Sequence, residues 1–182
     1  NRTELTFVNY EMNDGATSAF NKMCWGANGN YIFILTDDHI IPSNILQTID
    51  FLESPTFKDK KYKITSLHSG QTCYINKDKN WPFLLDLPEY VTMRFPVIYN
   101  KTLWDYFNGY IFNPSFKHGM VDMYLGYFLG EEGENGIECN TVKLKPFGDV
   151  NYSRSGSKYG LYDRNIFEKL VNLKSKNYIE KI

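Results

Sequence analysis

Cysteine is scarce in this chain: Cys24, Cys73 and Cys139 are widely spaced, odd in number and form no Cys-x-x-Cys pair. That argues against a zinc knuckle and against a disulfide framework, and reduced thiols in a cytoplasmic protein are the simplest account. Charge of one sign is missing too. Twenty basic residues stand against twenty-one acidic ones, a net charge of −1, which leaves no electrostatic footprint for nucleic acid or an anionic membrane. No apolar run approaches the ~18 residues of a membrane-spanning helix, and no secretory leader heads the sequence. The sequons at 1–3, 100–102 and 151–153 therefore read as chance matches.

With 182 residues, 42% of them hydrophobic and 23% charged, the chain fits one globular domain with a substantial core. Aromatics are abundant, with fourteen Tyr and thirteen Phe. Tyr in such numbers suits either a wide cleft of mixed polarity or an aromatic-rich core, since its ring packs while its hydroxyl bonds.

Hydrophobic patterning alternates strands with helices. Residues 4–11 have strand composition, and 13–30 make a turn and then a helix through Ala19, Met23 and Ala27 that stops at the breaker GANGN (26–30), where left-handed residues are expected. Residues 31–36 (YIFILT) form a continuous apolar run, the pattern of a central strand covered on both faces. Pro42 and Ser43 begin a helix over 43–53. Strands follow at 62–68, at 91–100 with an edge or bulge at Pro96, and at 137–147. A short helix begins near Lys101, a helix starting near 118 is buried, and 163–182 is amphipathic with Ile166, Leu170 and Leu173 on one face. This order predicts an α/β domain over 1–182 with a mostly parallel central sheet, in which 4–10, 31–36 and 62–67 are neighbours.

Asp37, Asp38 and His39 stand together at the end of strand 31–36. Ligands of open α/β sheets bind at the carboxyl ends of strands. Two carboxylates there suit a hard divalent cation, which takes oxygen ligands and keeps waters and substrate phosphates in its shell. The competing reading makes one Asp a cap for the helix near Pro42. The buried strand before the pair and His39 after it favour the cation.

Residues 13–46 resemble the central segment of the family-2-type glycosyltransferases of the GT-A fold. The pattern is carried by Asn13, Gly15, Ala19, Asn21, Ala27, Gly29, Tyr31, Ile32, Asp38, Pro42 and Leu46, in register. The resemblance implies a three-layer GT-A sandwich and transfer of a sugar from a nucleotide-diphosphate donor to a hydroxyl of a glycan, lipid or protein acceptor. It implies that Asp38 holds Mn²⁺ or Mg²⁺, with Asp37 as helper at the donor and His39 as a further ligand or a contact to the diphosphate. Asn13, Gly15 and Asn21 are its candidate substrate-binding positions. Thr36 departs from the family's Asp-x-Asp motif, in which a carboxylate is common at that place.

The family also carries a base on a downstream acidic helix. Asp122 occupies the matching place and is the candidate to deprotonate the acceptor hydroxyl. Val121 replaces the usual second carboxylate. His118, four residues earlier, would share a helical face with Asp122, either orienting it or ligating metal. His68 has no partner in sequence and receives no role. Relatives begin with two further strands and helices that hold the nucleotide, and this sequence starts at Asn1 with what matches their third strand. The expectation is an N-terminally incomplete GT-A domain with an exposed sheet edge and hence a possible homodimer. A non-catalytic relative that keeps the fold and a sugar- or nucleotide-binding cleft is the alternative. A metal-dependent phosphohydrolase needs more clustered ligands than this sequence provides.

Overall fold

A computed structural model describes residues 15–69, 72–77, 84–147, 160–174 and 177–179. In it the described chain is a mixed α/β arrangement. Its elements run α1 (Ala16–Trp25), β1 (Tyr31–Phe33), β2 (His39–Ile40), α2 (Gln47–Leu52), β3 (Ile64–His68), β4 (Pro96–Tyr99) and α3 (Asn100–Phe107). They continue as α4 (Val121–Glu131), β5 (Glu138–Lys143), β6 (Lys145–Pro146) and α5 (Gly160–Leu173). The expected strand 4–10 lies outside the described residues.

The main sheet has the order β1-β4-β3-β5. β4 runs antiparallel to both β1 and β3, and only the β3–β5 pair is parallel. The sheet of the described residues is therefore mixed, not mostly parallel, and β4 separates the strands expected to be neighbours. Continuous apolar character reports helices on both faces of a strand and is silent on its direction. Ile32, Ile34, Ile64 and Ile98 face one core, shared with α1, α3, α4 and α5. Val97, Leu67 and the partly buried Tyr31, Phe33 and Leu35 face a second core under α2, where Leu52 and Phe57 pack. A two-stranded sheet, β2 with β6, lies beside the main one.

Several boundaries differ from expectation for local reasons. Strand 31–36 shortens to β1, although Ile34 still donates its N–H to the Pro96 carbonyl at 3.0 Å. The expected strand 91–100 contributes only β4, because Phe95 takes a left-handed φ of 43°. The helix expected from Ser43 begins at Gln47, preceded by turns in which Ile45 N–H reaches the Pro42 carbonyl and Gln47 N–H that of Asn44. Gly26, expected to be left-handed, closes α1 in the right-handed region. In α5 the buried stripe is Asp163, Ile166, Phe167 and Leu170, whereas Leu173 is exposed.

The described tyrosines divide between core and surface: Tyr106 and Tyr162 are exposed and several others half-buried, and no described tyrosine lines the main cavity. Tyr62, Tyr124, Tyr127 and Tyr178 are all buried, and Tyr178 satisfies its hydroxyl by donating to the Ile111 carbonyl at 2.8 Å. α4 threads this aromatic cluster with eight of its residues buried. Gly126 permits the approach of α4 to the segment before β4: a Cβ there would lie 2.1 Å from the Val91 carbonyl oxygen.

Candidate functional site

At the carboxyl end of β1 the chain leaves the sheet, turns at Asp37–Asp38 and returns as β2. Two ties hold that turn. β2 pairs with β6, placing His39 opposite Pro146, and the Asp38 carbonyl accepts the Phe147 N–H at 2.7 Å. Asp37 points to exposed surface, and the Asp38 side chain is 38% exposed. The Thr36 hydroxyl donates to Asp38 Oδ1, and His39 Nδ1 lies 2.7 Å from the same oxygen. Thr36, which breaks the expected motif, thus positions the carboxylate in place of supplying one. A carboxylate accepts only, so His39 carries its proton on Nδ1 and presents Nε2 as an acceptor when neutral. Its ring is almost wholly buried, edge-on to Phe95 with centroids 4.5 Å apart.

Phe95 precedes Pro96 with a backbone conformation that bulky residues rarely adopt. Such strain persists only where surrounding structure enforces it. Here the His39 ring packs against Phe95, and the pairing of β4 with β1 and β3 begins at its neighbours.

These residues form one wall of a cavity of about 440 Å³. Thr36, His39, Phe95 and Pro96 line it, and so does Asp122 from the first turn of α4. The structure thus brings Thr36 and His39, which flank the carboxylate pair, and Asp122 of the downstream acidic helix to a single cavity, whose lining does not include Asp37 or Asp38. Asp122 Oδ1 accepts the Met123 N–H at 3.0 Å, and its backbone carbonyl accepts the Met93 N–H, also at 3.0 Å.

His118 is placed differently. It is exposed, does not line this cavity, and precedes α4, which begins at Val121 rather than near 118. The reason is Asp163. Its buried carboxylate accepts the N–H groups of Lys117, His118 and Gly119 at 2.8, 3.0 and 2.7 Å. Those donors are taken by a side chain, Met120 turns left-handed, and the helix starts after it. The shared helical face of His118 and Asp122 is lost with that turn.

Two of the other candidates have structural work. Asn21 is buried and clamps the backbone of Phe112, a cavity wall, donating to its carbonyl at 2.8 Å and accepting its N–H at 3.0 Å. Gly15 opens α1 at φ 96°, with Lys117 so close that a Cβ would sit 2.2 Å from its carbonyl oxygen. Asn13 lies outside the described residues.

Among the described residues no three His, Cys, Asp or Glu side chains converge as a metal site. The donors at the turn are the Asp38 carboxylate and the exposed Asp37 beside it. Two carboxylates, one of them with Oδ1 already engaged, do not make an all-protein cage; a hard divalent ion there would need substrate phosphates and water to complete its shell. Sequence reasoning missed several cavity residues, Phe20, Ser69, Arg94, Phe95, Phe112 and Pro146 among them, which carry no motif and converge only in the fold. It also left His68 without a partner, yet Nδ1 lies 3.0 Å from Glu138 Oε2, which Thr72 bonds as well. Among the described residues no helix is long and apolar enough to cross a membrane. Compared with known proteins, the chain matches no family, no curated protein and no solved structure.

Proposed function

We propose that this protein is a GT-A-type glycosyltransferase that moves a sugar from a nucleotide-diphosphate donor to an acceptor hydroxyl. The observation that carries the reading is the shared cavity. Thr36 and His39, hydrogen-bonded to Asp38, line it from one side and Asp122 from another. About 440 Å³ suits a sugar-sized ligand.

Asp38, with Asp37 beside it, would hold Mg²⁺ or Mn²⁺, which when bound supplies positive charge to the departing diphosphate. Thr36 and His39 fix the Asp38 carboxylate through its Oδ1. Asp122 takes the proton of the acceptor hydroxyl as that oxygen bonds to the anomeric carbon. The bond from that carbon to the diphosphate oxygen breaks, its electron pair leaves with the diphosphate, and configuration inverts. The apolar walls Phe20, Phe95 and Phe112 exclude water that would otherwise compete with the acceptor.

A second reading keeps the cleft and drops the chemistry. It is favoured by Asp38 Oδ1 being engaged within the protein and by the lack of a three-ligand cluster among the described residues. Calorimetry with common nucleotide sugars and Mn²⁺, alongside an assay of nucleotide release, separates the two. Metal-dependent binding lost in Asp38→Ala, with turnover lost in Asp122→Asn, supports the transferase. Binding without turnover supports the second reading, and no binding of either kind rejects both.

A further inference from the structure

The cavity has a polar side that the proposed transfer leaves unused. Arg94 lines it together with Ser69. Among the described residues the Arg94 guanidinium has no hydrogen bond or ion pair, and in that it differs from other partly exposed cations. Lys60, Lys61 and Lys63 reach Glu134, Glu132 and Glu53, and Arg164 reaches Glu168. Arg94 is a half-buried residue that lines the cavity with Phe95, Pro96, Phe112 and Val121, so its charge faces a partly apolar space with no ion pair among the described residues.

Its backbone is fixed. The Arg94 carbonyl accepts the Ser66 hydroxyl, and its N–H donates to the Thr92 carbonyl at 3.0 Å. The neighbouring Met93 N–H bonds the Asp122 carbonyl, so Arg94 is anchored beside Asp122. Thr36 and His39 come to the same cavity from the turn after β1. The Met93–Asp122 backbone bond sets Arg94 next to Asp122 in the chain's packing, and an anion bound by Arg94 is assigned on that ground to the molecule that meets Asp122.

We infer that Arg94 recognises a carboxylate or phosphoryl group on the acceptor, whose class is an acidic or phosphorylated sugar. The inference rests on the transferase reading for the hydroxyl at Asp122, and stands apart from it for the anion at Arg94. The planar guanidinium offers two parallel donors to either anion, and its charge offsets the repulsion that Asp122 exerts on an anionic ligand.

The test titrates the full chain with D-glucuronate, glucose 6-phosphate and glucose, and separately with UDP plus Mn²⁺, following amide shifts by NMR. At least one anionic sugar is expected to bind ten-fold or more tightly than glucose, and the two arms tell carboxylate from phosphoryl recognition. Arg94→Gln removes that advantage, Arg94→Lys keeps part of it, and UDP binding is unchanged in both. Anionic sugars no tighter than glucose, an advantage that survives Arg94→Gln, or a loss confined to UDP would each overturn the inference. Anion binding that depends on Arg94, without sugar transfer, sinks the transferase reading alone. Transfer to anionic acceptors at a rate indifferent to Arg94→Gln sinks this inference alone.

Discussion

The Asp163 carboxylate reaches 44 residues back along the chain to accept the Gly119 N–H at 2.7 Å. The same group holds Lys117 and His118, so the first turn of α5 sets where α4 begins and hence where Asp122 stands. Asp163→Ala removes three part-buried hydrogen bonds made by a fully buried carboxylate, and should cost about 2–4 kcal/mol. Asp163→Asn is expected to fall between, since its amide keeps one acceptor oxygen and turns a donor toward the remaining N–H groups. Urea unfolding midpoints check both.

Gly126 gives a prediction whose sign runs against helix propensity. Replacing a mid-helix glycine by alanine ordinarily stabilises by about 1 kcal/mol. Here the added Cβ would meet the Val91 carbonyl at 2.1 Å, and backbone gives way less readily than a side-chain tip. Overpacking of that kind costs about 1–3 kcal/mol, so Gly126→Ala is expected to be net destabilising. A thermal midpoint equal to or above that of the parent would show that α4 slides away from Val91 freely.

Asp122 and His118 should separate cleanly in kinetics. On the proposed transferase reading Asp122 is the general base, and loss of such a group lowers turnover about 10²–10⁴-fold, the drop expected for Asp122→Asn. His118→Ala, at an exposed position outside the cavity, is expected to leave turnover near the parent value and stability within about 0.5 kcal/mol. Turnover and unfolding midpoints of the two variants, measured side by side, decide the matter. Equal losses of turnover would return His118 to the site.

Burial pushes the Cys24 thiol up to about 12 from an ordinary 9.0. The folded state therefore keeps a proton that the unfolded chain releases. Its contribution is complete below pH 9 and disappears as pH rises from about 9 to 12. The same sign holds for Tyr127, also pushed up to about 12 by burial. Unfolding midpoints should fall across this range, and less steeply in Cys24→Ala. Thiol labelling at pH 8 should modify the half-buried Cys73 ahead of the buried Cys24 and Cys139.

The acidic turn was legible in the sequence because a buried run and a carboxylate pair are both local signals. Asp122 was singled out through a resemblance in the order of segments, and what the structure adds is that it lines the cavity. Strand direction was not, since Ile32 and Ile98 look alike whether their strands run together or opposed. Nor was the start of α4, which a carboxylate from α5 decides. Arg94 was missed for a different reason. A lone arginine in a strand-like segment carries no periodicity, and its lack of an ion pair among the described residues is a fact of three dimensions.

The pairing of His39 with Pro146 and of Ile40 with Lys145 also has a bearing on how the molecule is made. Contacts between segments so far apart in sequence form late, after the intervening loop has been closed against its entropy. A chain emerging from the ribosome has its acidic turn exposed long before residues 145–147 arrive to restrain it. The cavity, which Pro146 lines together with His39 and Thr36, therefore takes its final shape only when residues more than a hundred positions apart have met.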